Sequence, residues 1–179
     1  MTKMSKETLR ALQARAARGA LGPSSMRGAG SKGVVGAGRA FLADVDLGRF
    51  GTSRRKRFFA VLDEDTDGLR RSFPRGARHW GLARKGLNIF LRECLYTVYL
   101  RHAYSLYLAE RYFEVPLDSL TGTELYRAAD GALPRWKTVR GLTPQLSEAY
   151  QKAASAEARK RGMARIHLDA VWWGLRDEG

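Results

Sequence analysis

A chain of 179 residues with 44% hydrophobic and 10% aromatic residues is long enough to bury a core and too apolar to be disordered throughout. Its 32 lysines and arginines against 18 acids leave a net charge of +14, which favours a polyanionic partner, nucleic acid above all. A basic surface kept for solubility, or for docking on a larger assembly, is the competing reading.

The charge is concentrated early: residues 1–40 hold eight basic residues and one acid, Glu7, and so half of the net charge. This segment reads as a basic arm, with a helix over 5–18 capped by Ser5 and a glycine-rich connection from Gly19 to Gly38. Gly28-Ala29-Gly30-Ser31-Lys32-Gly33 matches G-x-G-x-x-G, but no strand precedes it, so the spacing does not imply a dinucleotide site. Residues 41–179 read as one helical domain.

Arg54, Arg55, Lys56 and Arg57 open a helix that runs toward Pro74. They are candidate phosphate contacts, with a solvated helix face as the alternative, offset by Asp63, Glu64, Asp65 and Asp67. From Trp80 to Tyr112 the pattern is strongly helical, and Leu87, Leu91, Leu95 and Val98 form a stripe expected to be buried. Tyr96, Tyr99, Tyr104, Tyr107 and Tyr112 are expected to add core bulk. Cys94, the single cysteine, reads as a small buried hydrophobe; one cysteine permits neither an intrachain disulfide nor a multi-cysteine zinc site. Pro116 interrupts, and Asp118 or Ser119 caps a helix to about Ala129. Thr143-Pro144 starts a helix to Gly162, and a last helix holds Asp169 through Leu175. The expected fold class is all-α. No apolar run approaches the roughly 20 residues of a membrane span, and the start lacks a secretory apolar core, so a cytoplasmic protein is expected.

Three places carry chemistry. Lys85, beside Arg84 and near Arg78, becomes a nucleophile if burial or neighbouring cations lower its pKa; otherwise it is a surface charge. Asp118, after Val115-Pro116-Leu117, is a helix cap, a carboxylate that stabilises positive charge on a sugar, or both. The phrase Ile166-His167-Leu168-Asp169-Ala170-Val171-Trp172-Trp173 sets an acid and a histidine beside aromatic faces. That is a kit for a flipped base, or alternatively a helix plugging the core.

The order Arg84-Lys85, Glu114-Val115-Pro116-Leu117-Asp118-Ser119 and Ile166-His167-Leu168-Asp169 with Trp173 resembles the helix-hairpin-helix DNA glycosylase superfamily. Within it, the chain is most similar to the archaeal-type 8-oxoguanine N-glycosylase/DNA lyase branch, over residues 76–176. The resemblance implies that Lys85 attacks C1′ and forms a Schiff base, and that Asp118 stabilises the oxocarbenium-like state. It implies that Asp169 contacts the flipped base and that Trp173 stacks on it. Arg92 stands where the branch has a second lysine near the base, and His167 belongs to the same base-binding phrase. Arg78 and Arg84 join the Arg54–Arg57 cluster as expected DNA contacts. Neither a metal nor an organic cofactor is implied. The chain departs from the branch at Ala170, where serine is usual, and at Leu120, where arginine is usual. It also lacks a recognisable hairpin before Lys85, for which Gly76-Ala77-Arg78-His79-Trp80-Gly81 is a loose substitute, so DNA would be held mainly by side-chain charge. The expected function is excision of an oxidised purine from DNA, with lyase activity. The alternative is a non-catalytic helical nucleic-acid-binding protein.

Overall fold

The computed structural model describes residues 4–29 and 31–174. Its helices are α1 (Lys6–Ala20), α2 (Val34–Ala43), α3 (Arg55–Ser72), α4 (Trp80–Tyr96), α5 (Val98–Ala103), α6 (Ser119–Ala128), α7 (Pro144–Lys160) and α8 (Leu168–Gly174). Short 3-10 segments lie at Leu47–Arg49, Arg75–Ala77, Leu106–Tyr112, Val139–Gly141 and Arg165–His167, and no strand occurs among the described residues. The fold is all-α. No helix among the described residues is long and apolar enough to cross a membrane.

The helix starts follow from local chemistry. The Ser5 hydroxyl accepts from the Thr8 amide, Asp118 from Thr121, and Thr143 from Leu146, with Pro144 at the first helical position of α7. Each cap satisfies an amide that has no partner inside its helix. The α7 helix stops at Lys160, and Gly162 follows at φ 65°, a conformation that favours glycine. Leu175 and Gly30, which belong to two sequence expectations, lie outside the described residues.

The apolar side chains form two clusters. One joins α1 to α5 and the 106–113 segment around Phe50, Phe58, Phe90 and Leu91. The other joins Val115, Leu117, Leu125, Leu142, Tyr150, Ala154, Leu168 and Trp172, from α6, α7, α8 and their connections. Cys94 is fully buried in the first cluster, and burial pushes its thiol pKa well up, as expected of a structural cysteine.

Two expectations are corrected. The basic segment 1–40 is not a separate arm. Ala16, Ala17, Ala20 and Leu21 are buried in the first cluster, and Val34–Ala43 is a helix rather than a linker. Close packing at Gly38 contributes. A Cβ on Gly38 would come within 2.5 Å of a Leu21 methyl carbon, and one on Gly86 within 2.9 Å of the other. Gly38, the last glycine of the apparent tether, lets α2 approach Leu21, as Gly86 lets α4. The helical stretch Trp80–Tyr112 divides into three segments, and its stripe is shorter than expected. Thr97 is extended (φ −78°, ψ 103°) and its hydroxyl donates to the Glu93 carbonyl, ending α4; Ser105, at φ 53°, separates α5 from the next segment. The buried stripe therefore ends at Leu95: Val98 is exposed, and so are Tyr96, Tyr99 and Tyr107, which are not core bulk.

Candidate active-site cleft

The two clusters face one another across a cleft of about 1510 Å³. Its walls include Ser24, Ser25 and Arg27 of the turn after α1, Lys85, Arg92 and Tyr96 of α4, and Pro116, Asp118 and Ser119. Arg135 to Val139, Asp169 and Trp173 complete them. Lys85, Asp118, Arg92, Asp169 and Trp173, far apart in the chain, thus share one cavity.

Adjacent helix residues point about 100° apart, and α4 uses this to send two neighbouring cations in different directions. Arg84 turns into the protein and is 5% exposed. Its Nε donates to Glu114 Oε2 at 2.8 Å and its Nη2 to Glu114 Oε1 at 3.2 Å, while Nη1 donates to Asp63 and Thr66. Burial alone would raise the Glu114 pKa, but Arg84, helped by Arg165 and Asn88, holds the carboxyl below its ordinary value. Arg84 is therefore a buried structural cation and not a DNA contact, which corrects the sequence expectation. Lys85 turns to the cleft, where its Nζ donates to the Ser25 carbonyl at 2.9 Å. Burial lowers its pKa, against the opposing charge of Asp118. Loss of hydration disfavours an ammonium, so a larger share of this amine is neutral and nucleophilic than of an exposed lysine.

Asp118 closes an irregular segment, 113–118, whose backbone groups are satisfied by side chains from elsewhere. Gln151 brackets Val115, its amide nitrogen donating to the Val115 carbonyl at 2.8 Å and its oxygen accepting from the Val115 amide at 3.2 Å. Arg165 donates to the carbonyls of Phe113 and Tyr112. With Glu114 tied to α4, the segment is fixed along its length, and Asp118 reaches the cleft wall while accepting from the Thr121 amide at 2.9 Å. Capping and cleft-lining are combined in one carboxylate.

The late phrase divides its residues between core and cleft. Trp172 is 7% exposed in the second apolar cluster, whereas Trp173 is 45% exposed and lines the cleft. Asp169 is buried; its Oδ1 accepts from Thr121 Oγ1 at 3.2 Å and its Oδ2 from Arg92 Nη1. Arg92 also donates to Glu93, and its Nε is buried without a hydrogen-bond partner. His167 does not line the cleft. Its Nδ1 pairs with the Tyr96 hydroxyl at 2.9 Å and its Nε2 with Glu110 at 3.0 Å. Since the Glu110 carboxylate can only accept, Nε2 carries a proton, and in the neutral ring Nδ1 accepts from Tyr96. The expected base contact at His167 is thus replaced by support of Tyr96, which does line the cleft.

Arg54, Arg55, Lys56 and Arg57 are exposed at the start of α3, and none lines the cleft; Arg55 lies over the Phe59 ring. Arg78 is exposed too, with its Nε donating back to the Phe73 carbonyl at 2.9 Å. The cleft instead draws on Ser25, Arg27, Tyr96, Arg135 and Lys137, which sequence reasoning did not select. The only signal at Arg27, Arg135 and Lys137 was positive charge, shared with most of the chain. Among the described residues, no group of three or more His, Cys, Asp or Glu is placed to hold a metal ion. The chain matches no known family model, no curated protein and no solved structure.

Proposed function

We propose that the protein is a DNA base-excision enzyme that cleaves the N-glycosidic bond of a damaged purine through Lys85, with accompanying lyase activity. The observation that carries this reading is the meeting of a lysine of lowered pKa and a carboxylate, Asp118, in one cleft with an exposed tryptophan on its wall. The neutral Lys85 amine attacks C1′, the C1′–N9 bond breaks, and its electron pair leaves with the purine, which takes up a proton. Asp118 stabilises the positive charge that develops on the sugar and accepts the proton released by the attacking amine. Ring opening then gives the Schiff base, from which the 3′ phosphate leaves by β-elimination. Trp173 offers a face for the extruded base, as extrusion requires. The choice of an oxidised purine comes from the resemblance described above. No cofactor enters any of these steps.

The test is incubation with duplexes carrying single oxidised purines, with and without borohydride. The expected result is lesion-dependent base release, strand scission and a covalent protein–DNA adduct. Absence of base release and adduct with every purine lesion overturns the reading.

A non-catalytic nucleic-acid-binding protein is favoured by one observation: Lys85 and Asp118 already have structural partners in Ser25 and Thr121. Asp118→Asn separates the roles, because asparagine caps a helix as well as aspartate but carries no charge. The variant is expected to keep the thermal stability of the parent while adduct formation falls by about 10²- to 10³-fold, the scale of losing one electrostatic stabiliser. Loss of stability with unchanged adduct formation would assign Asp118 to capping alone.

A further inference from the structure

The cleft cations differ in what surrounds them. On the floor, Arg92 is matched by Asp169 and Glu93, and Lys85 lies in the field of Asp118. At the mouth, Arg27, Arg135 and Lys137 are exposed, and none has a carboxylate within ion-pair distance among the described residues. Arg135 lies over the Tyr126 ring at 4.7 Å, another cleft residue. Positive charge is thus in excess at the mouth, while Asp118 and Asp169 are less exposed.

The loops that carry these cations are tied to the body and to each other. Arg140 Nη2 donates to the Ala29 carbonyl at 2.9 Å, joining the 129–143 connection to the turn after α1. Gly81 of α4 packs so closely beneath the connection that a Cβ would come within 2.2 Å of the Val139 carbonyl. Ser25, two residues before Arg27, is held by Lys85. The cations therefore sit on a fixed frame. Backbone amides before α4 offer no substitute, since those of Ala77, Arg78 and His79 donate to carbonyls of Pro74, Arg75 and Ala77.

We propose that Arg27, Arg135 and Lys137 form a rim that holds the phosphodiester backbone of the target DNA strand at the cleft mouth, an inference that rests on the base-excision reading. Phosphates are attracted to the mouth and repelled by Asp118 and Asp169 below, so a polyanion lies across the opening and only an uncharged base descends. A volume of about 1510 Å³ also exceeds the roughly 300–1,000 Å³ of sites for single small ligands, as an extended ligand requires.

Binding is measured by fluorescence anisotropy against salt, with a duplex carrying one tetrahydrofuran abasic analogue, which a lysine cannot cleave. The variants are R27A/R135A/K137A and, as a charge-matched control on the exposed face of α7, K152A/R159A/K160A; all six side chains are exposed. The rim variant is expected to flatten the slope of log affinity against log salt by about 2.5 to 3 units and to bind at least about tenfold more weakly near 0.1 M salt. The control is expected to match the parent. An unchanged slope in the rim variant, an equal loss in the control, or loss only when Arg54–Arg57 are neutralised overturns the rim. So does failure of the parent to bind duplex DNA, or tighter binding of an RNA hairpin. Rim-dependent binding by a protein that forms no borohydride adduct supports the rim and removes the chemistry; an adduct with undiminished rim-variant affinity does the reverse.

Discussion

Lys85→Gln is expected to abolish the borohydride-trapped adduct completely while leaving DNA binding and the fold in place. Glutamine retains an N–H donor for the Ser25 carbonyl and loses the amine. Adduct formation by the parent should rise with pH and level off below 10.5, the ordinary lysine value, because burial lowers the Lys85 pKa. The same shift has a stability consequence of defined sign. The folded state binds the Lys85 proton less tightly than the unfolded state does, so the penalty is full at pH below the folded pKa. It fades as pH rises through that value toward 10.5. Lys85→Gln should therefore gain most over the parent at neutral and acid pH, and the gap should close in alkali, as read by denaturant melts across pH. A persistent adduct in this variant would assign the nucleophile to another amine.

Glu114→Ala should be strongly destabilising, by about 3–5 kcal/mol, the cost of removing one partner of a buried ion pair and leaving Arg84 only Thr66 and the exposed Asp63. Arg84 and Glu114 are 5% and 6% exposed, so water cannot replace the lost contact without opening α4 from the 113–118 segment. Replacing both by methionine should recover most of the loss, since the pair's attraction and its desolvation nearly offset. The parent's Glu114 carboxyl titrates below its ordinary 4.5, so its contribution is complete above 4.5 and is lost as pH falls through the lower folded value. The deficit of Glu114→Ala should accordingly shrink in strong acid. A single variant that melts within about 1 kcal/mol of the parent, against the usual scale for surface changes of about 0.5 kcal/mol, would show that this pair does not fasten the segment.

The helices were legible where local chemistry dictates them: Ser5, Asp118 and Thr143 cap as their residue types predict. What was illegible depends on partners far along the chain. Arg84 and Lys85 are neighbours of equal charge, and only distant partners, Glu114, Asp63 and Thr66, hold Arg84 rather than Lys85 inward. Trp172 and Trp173 pose the same ambiguity, resolved by the second apolar cluster, which takes Trp172. Gly38 reads as flexibility because nothing in sequence reveals Leu21 packed against it. The positions lining the cleft include the five from the sequence, Lys85, Arg92, Asp118, Asp169 and Trp173, but the cations at its mouth were hidden among the 32 lysines and arginines of the chain.

The bonds that close the cleft span long stretches of chain: 60 residues from Ser25 to Lys85, 77 from Arg92 to Asp169 and 111 from Ala29 to Arg140. Helices form from near neighbours, whereas such contacts wait on the closure of large loops. During synthesis, Lys85 and its carbonyl acceptor emerge well before Asp169 and Trp173. A growing chain therefore holds its amine long before the wall opposite exists. Arrival of Asp169 and Trp173 is the event that completes the cleft, so a ribosome-bound chain ending before Asp169 lacks that wall.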